Sequence, residues 1–212
     1  MLRNSILACF FFLFGNLASA QIQFQNGDVI FQTSLSNQAN AIILATGSKL
    51  SHIGVIEVTN RGDIFVIEAI GKVSRTPLNN WIQRGKGGRY EVYRYPQLGG
   101  KSLNIVQAAK SYLGRSYDIY FSSDNFEIYC SELVELAFRG SGLSIGQWQK
   151  VKELNLNHSK VQKLVEARWK GHPRCRGVGT FKECWPRILD AELVSPASIA
   201  ADSRLIRIFS NY

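Results

Sequence analysis

Two apolar, β-branched stretches on either side of a short turn sequence constrain the fold of this chain most strongly. They cover residues 52–58 and 64–70, and Asn60-Arg61-Gly62 lies between them. This composition around a glycine-containing turn is typical of a β-hairpin. With Gly62 in the left-handed position of a type I turn plus bulge, Thr59 faces Asp63, and the register of the whole hairpin follows.

This register places His52 and Glu68 on the same face as diagonal neighbours, because Gly54 faces Glu68 and His52 faces Ile70. Diagonal positions lie ~7–8 Å apart at the backbone, within reach of long side chains. Gly54 has no side chain and is expected to leave room beside the carboxylate. A two-residue turn at Arg61-Gly62 would instead place His52 and Glu68 on opposite faces.

His52 and Glu68 are polar side chains within apolar segments, so each needs a partner if it is buried. The structural interpretations are a hydrogen-bonded core histidine and a structural ion pair. The functional interpretation is a carboxylate that orients a catalytic imidazole. The other histidines of the chain, His158 and His172, lie in polar or basic sequence that favours exposed or structural roles.

Cys130 opens an amphipathic run in which positions 130, 133, 134 and 137 form one face at helical spacing. Glu132, Glu135 and Arg139 are predicted on the outer side, and Gly140 follows as a helix end. A thiol at a helix N-terminus meets free N–H groups and a partial positive charge, which favour a thiolate and can hold an oxyanion. A buried structural cysteine is the alternative interpretation.

The first 20 residues have the features of a cleaved secretory signal peptide. Arg3 supplies the positive start, residues 6–14 are an apolar core, and Leu17-Ala18-Ser19-Ala20 resembles a cleavage site. The apolar run is too short to span a bilayer. We therefore predict a secreted or periplasmic protein in which residues 21–212 form a single domain.

Cleavage would leave Cys130, Cys175 and Cys184 of the four cysteines. An odd count in an oxidising compartment predicts one free thiol or an intermolecular pair. Cys175 and Cys184 lie in a loop-like stretch and are expected to close a small disulfide. A metal site that adds His172 to this pair lacks an obvious fourth ligand, so no metal is predicted. Cys130 is then the free thiol.

The charge balance limits the kinds of partner. The formal net charge is +9, and loss of Arg3 with the signal peptide leaves +8. This charge favours an anionic surface such as a membrane or an acidic cell-wall polymer. No zinc-finger, helix-turn-helix or RNA-binding signature is found, so nucleic acid is not an expected partner. We also find no cofactor motif, and the pattern leaves the oligomeric state undefined.

The remaining pattern predicts an α+β chain with a consecutive antiparallel sheet. Further strands are predicted at residues 27–32, 89–94 and 205–209, and helices at 36–46, 77–84, 101–113, parts of 147–170 and 196–202.

Five segments resemble, in this order, the YiiX-type permuted papain-like amidases of the NlpC-like superfamily of cysteine peptidases. They are Gly27-Asp28-Val29-Ile30-Phe31-Gln32-Thr33-Ser34, Ser51-His52-Ile53-Gly54-Val55, Val66-Ile67-Glu68-Ala69, Tyr112-Leu113-Gly114-Arg115-Ser116-Tyr117-Asp118 and Tyr129-Cys130-Ser131-Glu132-Leu133-Val134. In the usual papain order the cysteine helix precedes the histidine strand. The permuted members reverse this order, as His52 followed by Cys130 does here.

The resemblance implies a circularly permuted papain-like fold, with a small antiparallel sheet packed against helices that include the Cys130 helix. It implies Cys130 as the nucleophile, His52 as the general base and Glu68 as the third member of the triad. It also implies hydrolysis of amide bonds, often in cell-wall peptides, without a cofactor.

Three functions follow as hypotheses. The leading one is a cysteine peptidase or amidase acting on peptidoglycan stem peptides through an acyl-enzyme. The second is a thiol acyltransferase or lipid hydrolase with the same triad, and the third is a non-catalytic wall- or membrane-binding module. Tyr117, Tyr129 and Ser131 flank the motifs and are candidate substrate contacts, whereas the backbone N–H of Cys130 is the candidate oxyanion donor.

Overall fold

The computed structural model describes residues 22–124 and 126–212. The predicted signal peptide lies outside the described residues. In chain order, the strands and helices are β1 Val29–Ser34, α1 Ala39–Thr46, β2 His52–Val58, β3 Ile64–Ile70, β4 Lys72–Pro77, α2 Leu78–Arg84, β5 Gly85–Arg94, α3 Ser102–Lys110, α4 Cys130–Gly140, β6 Trp148–Lys150, α5 Ser159–Arg168, α6 Phe181–Leu189, β7 Glu192–Val194, α7 Pro196–Ala200 and β8 Ile206–Ser210.

A six-stranded antiparallel sheet forms the centre of the molecule, in the order β4-β3-β2-β1-β5-β8. Strands β1 and β2 are interior strands, and their apolar runs are buried on both faces. Helices α3 and α4 pack on one face of this sheet, and α2 contributes the buried Trp81 to the other. The fold is the α+β arrangement of an antiparallel sheet packed against helices, including the Cys130 helix, that the sequence predicted.

The hairpin β2–β3 has the predicted register. Val55 pairs with Ile67 and Val58 pairs with Ile64. The Thr59 amide donates to the Asp63 carbonyl at 2.9 Å. Gly62 has a φ of 85°, the left-handed conformation that the three-residue loop requires. The prediction that His52 and Glu68 share a face is therefore confirmed.

Gly54 does not leave open space, contrary to the expectation. A Cβ at this position would clash with the Val66 side chain and would lie 2.9 Å from the Ile67 carbonyl oxygen and 3.4 Å from the Glu68 Cβ. Strand β3 packs directly against this glycine, so the absence of a side chain allows close approach of the two strands.

The prediction that Glu132 and Glu135 lie on the outer side of their helix is wrong. Glu132 is fully buried and Glu135 is 6% exposed. The residues that precede α4, together with the small sheet formed by β6 and β7, cover the face that the helical pattern assigned to solvent. Spacing along one helix does not show whether a second layer covers its polar side.

The C-terminal region contains a further difference from the sequence pattern. Cys184 lies within helix α6 rather than in a loop, because Thr180 and Glu183 form a capping box that starts the helix. Cys175 and Cys184 form the predicted disulfide. Strand β4 has no counterpart among the predicted elements. Among the described residues, no helix has the length and apolar character needed to cross a membrane.

Candidate active site

His52 and Glu68 form the buried polar pair that the hairpin register predicts. The His52 Nε2 lies 2.6 Å from the Glu68 Oε2. His52 is 5% exposed and Glu68 is completely buried. Since Nε2 is engaged by the carboxylate, the other ring nitrogen, Nδ1, is the one left for a second partner.

Glu68 also receives hydrogen bonds from residues that the sequence analysis did not select. The Thr76 hydroxyl donates to Oε1 at 2.6 Å. The Arg84 guanidinium donates from one nitrogen to both carboxylate oxygens, each at 2.6 Å. The carboxylate is thus fixed by three side chains, so its orientation toward His52 does not depend on the His52 contact alone.

Trp81 packs against the imidazole. The two rings are stacked with centroids 5.9 Å apart and planes inclined by 25°, and Trp81 is fully buried. Thr76 is the last residue but one of strand β4, and Trp81 and Arg84 lie on the following helix α2. One continuous segment therefore holds both the carboxylate and the imidazole.

The Cys130 side chain lies beside the His52 imidazole and helps to raise the pKa of that ring. Cys130 is the first residue of α4, and His52 is the first residue of β2, so the start of the helix meets the start of the strand. Cys130 is buried and, among the described cysteines, is the free one. Thiol, imidazole and carboxylate thus form a continuous chain of contacts.

The electrostatics favour a charged imidazole beside an ionised carboxylate. Burial disfavours the charged form of His52, but hydrogen bonds and charge interactions with Cys130 and Glu68 outweigh it and raise its pKa to about 9. Burial alone would raise the pKa of Glu68. The His52, Arg84 and Thr76 contacts reverse this and lower that pKa to about 2. Glu68 is therefore an anion at every pH where the protein is expected to work.

Tyr117 lies near the thiol and interacts with it electrostatically. Burial and the neighbouring Cys130 charge raise the pKa of Tyr117 well above its ordinary value, so its hydroxyl stays protonated. The Gln38 side-chain amide donates to the Tyr117 oxygen at 2.9 Å. Arg168 in turn donates to the Gln38 oxygen at 3.1 Å and to the Ile119 carbonyl at 2.7 Å. The Tyr117 proton remains available for a group bound at Cys130.

Tyr129 and Ser131, the other candidate substrate contacts, both hold strand β7. The Val194 amide donates to the Tyr129 hydroxyl oxygen at 3.0 Å. The Ser131 hydroxyl donates to the Val194 carbonyl at 2.8 Å. Both residues are buried, and these bonds fix the chain beside the N-terminus of α4. A direct contact of either residue with substrate stays a prediction.

Glu132 lies next to this site and is not part of the triad. Burial raises the pKa of its carboxyl to about 8. One oxygen accepts from the Tyr129 amide at 3.4 Å, and the other has no hydrogen-bond partner among the described residues. A protonated Glu132 adds no negative charge beside the Cys130 sulfur at neutral pH.

Comparison with known proteins shows the family of this chain. Residues 23–209 match the family model described as permuted papain-like amidase enzyme, YaeF/YiiX, C92 family. The chain belongs to this family. A member from Escherichia coli strain K12, the uncharacterized protein YiiX, is 41% identical over 150 residues, which are 68% of this chain and 73% of that protein.

A solved structure shows the same fold for a member of the family. The crystal structure described as metalloprotein YiiX from Escherichia coli O157:H7 superimposes with a TM-score of 0.76 and 35% sequence identity. The match covers 89% of this chain and 98% of that one. The family fold thus extends over nearly all of the described residues.

The word metalloprotein in that description raises the question of a metal ligand set in this chain. Within residues 22–124 and 126–212, no three His, Cys, Asp or Glu side chains are grouped so that they could hold a metal ion. Of the candidates from the sequence, Cys175 and Cys184 are joined to each other, and the His172 Nδ1 accepts from the Arg174 amide at 3.1 Å. These residues do not fit a metal, and no step below is assigned to one.

Sequence reasoning missed Thr76, Trp81, Arg84 and Gln38. One signal pointed to Thr76 and Arg84: a fully buried Glu68 with a single histidine partner still has unused acceptor positions that need donors. The sequence contains 25 lysines and arginines, and nothing in their spacing selects Arg84. Arg84 reaches Glu68 because the turn into α2 directs this last residue of the helix back to β3.

Proposed function

We propose that the chain is a cysteine hydrolase of amide bonds in which Cys130 attacks, His52 transfers protons and Glu68 orients His52. The observation that carries this proposal is the buried His52 imidazole, which lies beside Cys130 and 2.6 Å from the Glu68 carboxylate. The family, described as permuted papain-like amidases, supports the reaction class. The triad roles themselves belong to the proposal.

The reaction proceeds in two steps. The Cys130 thiolate attacks the amide carbonyl, and the tetrahedral oxyanion accepts hydrogen bonds from the free N–H groups at the start of α4 and from the Tyr117 hydroxyl. The C–N bond breaks as the His52 imidazolium protonates the leaving amine. Water then gives a proton to His52 and its hydroxyl to the acyl carbon, which releases the carboxylic acid and the thiolate.

Glu68 acts through His52. An ionised carboxylate on Nε2 keeps the Nδ1 side of the ring directed to sulfur and stabilises the imidazolium that forms. Arg84 and Thr76 keep the carboxylate ionised and in place. A catalytic imidazole with this support does not rotate away when the thiolate is consumed in the acyl-enzyme.

Trapping the acyl-enzyme tests this proposal. Mass spectrometry of the mature chain mixed with activated amide substrates should show one acyl group on the peptide that contains Cys130. Cys130→Ala and His52→Ala should lose both the adduct and the release of amine. His158→Ala, which removes an exposed histidine, is the matched control and should keep them. Full hydrolysis by Cys130→Ala would refute the nucleophile assignment.

Substrate and compartment remain proposals. Peptidoglycan stem peptide in the periplasm or outside the cell is the substrate that the predicted signal peptide and the basic charge favour. Fractionation of cells that make the full chain, with N-terminal sequencing of the product, checks for a mature start at Gln21. A chain that stays in the cytoplasm with residues 1–20 attached would contradict this location.

A further inference from the structure

The positive charge of the chain is concentrated in one segment near its C-terminus. The basic segment, which we define as residues 160–187, contains eight lysines and arginines and two glutamates, an excess of six positive charges. The expected mature chain has a net charge of +8 over all its residues. Most of the net charge therefore lies in this one segment.

Nearly all of these cations face solvent. The exception is Arg168, whose guanidinium donates to the Gln38 side chain and to the Ile119 carbonyl. The other lysines and arginines of the basic segment are all exposed. Of the two glutamates, Glu183 is engaged in the cap of its own helix, where it accepts from Thr180. The segment thus presents a surface that is almost entirely positive.

No ion pair among the described residues neutralises this surface. Every ion pair that the described part of the chain forms lies outside residues 160–187. The basic residues beside the central sheet differ, since Arg75, Arg84 and Arg94 each bond a carboxylate there. Charges of one sign without internal partners repel each other, and they attract anions from outside the molecule.

The disulfide holds three arginines of the basic segment together. Arg174 and Arg176 flank Cys175 in the chain. Arg187 lies three residues after Cys184 on α6, and the Cα atoms of the two cysteines are 5.3 Å apart. The Arg187 guanidinium donates to the Arg174 carbonyl at 3.4 Å. Because the planar donors of a guanidinium match two oxygens of a phosphate, this cluster suits a surface that carries phosphate groups.

A row of three aromatic side chains lies in the same segment. The ring centroids of Trp169 and Phe181 are 6.4 Å apart, and those of Phe181 and Trp185 are 5.4 Å apart. All three residues are half-buried, and the Lys170 ammonium lies 6.0 Å from the Trp169 ring centroid. Tryptophan beside lysine and arginine is the composition that proteins place at the headgroup level of a lipid bilayer.

We propose that the basic segment is a membrane-binding surface that holds the protein on a bilayer containing anionic phospholipid. Its arginines and lysines contact lipid phosphates, and the aromatic row lies among the headgroups. The aromatic row favours lipid over an acidic wall polymer. Charge is sufficient to bind a polyanion, whereas tryptophan gains free energy at the boundary between headgroups and hydrocarbon. The inference goes beyond the proposed hydrolase and does not depend on Cys130.

Vesicle sedimentation tests the inference. The mature chain is mixed with vesicles of phosphatidylcholine alone, or of phosphatidylcholine and phosphatidylglycerol in equal amounts. We expect the protein to sediment with the phosphatidylglycerol vesicles and not with the others. An increase in salt from about 0.1 M to about 1 M shortens the Debye length from about 10 Å to about 3 Å and should release most of the protein. Equal sedimentation with both lipids, or with neither, would overturn the inference.

A triple arginine variant locates the contact. Arg174→Gln, Arg176→Gln and Arg187→Gln together remove three exposed charges from around the disulfide. Each cation at an anionic surface contributes about fivefold in affinity, so this variant should bind phosphatidylglycerol vesicles about 100-fold more weakly than the wild type. An unchanged affinity would show that the arginine cluster is not part of the binding surface.

The matched control removes the same charge elsewhere. Arg61→Gln, Lys86→Gln and Arg89→Gln change three exposed residues outside the basic segment. Because charges away from the contact are screened, this variant should bind the vesicles within about threefold of the wild type. A loss as large as that of the triple arginine variant would mean that the net charge, and not the basic segment, determines binding.

Fluorescence quenching tests the position of the aromatic row. Brominated acyl chains quench tryptophans that lie close to them, so brominated phosphatidylglycerol vesicles should quench the wild type when it binds. Trp169→Phe together with Trp185→Phe keeps aromatic rings at both positions and should remove this quenching, although Trp81 and Trp148 remain. Quenching that persists in the double variant would show that another surface meets the lipid.

Two further measurements separate this inference from its alternatives. If isolated peptidoglycan sacculi bind the protein through the three arginines, and phosphatidylglycerol vesicles do not bind it, the surface recognises an acidic polymer and the inference fails. Cys130→Ala should bind the vesicles as the wild type does, and the triple arginine variant should hydrolyse a soluble amide at the wild-type rate. A failure of vesicle binding therefore leaves the cysteine hydrolase standing, and a lack of hydrolysis leaves vesicle binding standing.

Discussion

At the scale of single residues, the behaviour of His52 depends on its two polar neighbours. Burial opposes a charge on the ring, and only the hydrogen bonds to Cys130 and Glu68 make the imidazolium favourable. Glu68 in turn depends on Arg84 and Thr76, since a fully buried carboxylate needs donors for both oxygens. The triad is thus a network in which the loss of one partner changes the ionisation of the next.

The pH dependence of hydrolysis follows from the direction of these shifts. The pKa of His52 is raised from 6.5 to about 9, so the imidazolium and the stability it adds are fully present below 6.5 and are lost as pH rises through about 9. The kcat/KM for a model amide should fall over that range. Glu68→Gln removes one of the raising contacts and should move the alkaline limb to lower pH.

The contribution of Glu68 to stability depends on pH in the opposite direction to that of His52. The pKa of Glu68 is lowered from 4.5 to about 2, so its contribution to stability is present above 4.5 and is lost as pH falls through about 2. Thermal unfolding of the wild type and of Glu68→Gln as a function of pH measures this difference. In the pH profile of kcat/KM, an alkaline limb in the same place for the wild type and Glu68→Gln would contradict the assigned link between Glu68 and His52.

Arg84 is the positioning residue whose loss is most informative. Arg84→Gln leaves the buried Glu68 carboxylate without its charged partner and should lower the free energy of unfolding by about 1–3 kcal/mol. This loss is smaller than for a fully buried ion pair, because the Arg84 side chain is 38% exposed. The substitution should also shift the alkaline limb of kcat/KM. Arg89→Gln, on the exposed part of β5, is the control. A loss of stability with an unchanged pH profile would mean that Arg84 has only a structural role.

At the scale of elements, the hairpin β2–β3 and the segment β4–α2 act together. The hairpin places His52 and Glu68 on one face, and the following segment supplies Thr76, Trp81 and Arg84 to that pair. Helix α4 brings the thiol to the same point. The register of one hairpin therefore determines whether base and carboxylate meet.

Gly54→Ala tests the close approach of these two strands. The new Cβ would lie 2.9 Å from the Ile67 carbonyl and would clash with Val66, so the strands must separate. We expect a loss of about 1–3 kcal/mol in unfolding free energy, together with reduced hydrolysis, because Glu68 is displaced. Gly179→Ala, whose Cβ would have no closer neighbour than 3.8 Å, is the matched control. Equal stability of the two variants by urea unfolding would contradict the packing argument.

At the scale of the whole molecule, the C-terminal region completes the site from outside the central sheet. Strand β7 is held to the start of α4 through Tyr129 and Ser131, and residues of α1, α5 and β7 line an apolar cleft beside Cys130. The disulfide between Cys175 and Cys184 lies in the same region and joins the segment after α5 to α6. A local change in the disulfide-bonded region is therefore expected to alter the cleft without changing the contacts of the triad.

Removal of the disulfide gives a prediction at this scale. Cys175→Ala with Cys184→Ala opens a loop with a sequence separation of 9, and the chain-entropy model gives a loss of about 2–3 kcal/mol. Thermal unfolding under oxidising conditions measures the loss. Unchanged stability would show that the bond constrains little in the unfolded chain.

The sequence by itself determined the features that depend on neighbours in the chain. Turn chemistry at Asn60-Arg61-Gly62 set the hairpin register, and the spacing after Cys130 set the helix start. The number of cysteines left after signal-peptide cleavage, together with their positions, selected the pair that forms the disulfide. Each of these follows from local backbone geometry or from simple counting, which one sequence contains.

Only the tertiary structure decided which distant side chains complete the site. Arg84 and Trp81 reach His52 and Glu68 because α2 folds back on β3, and Gln38 meets Tyr117 because the start of α1 lies against the loop that precedes α4. The burial of Glu132 likewise depends on residues far away in the chain. The same is true of the apolar cleft lined by α1, α5 and β7. Long-range packing energies select these contacts, and the periodicity of a single segment carries no information about them.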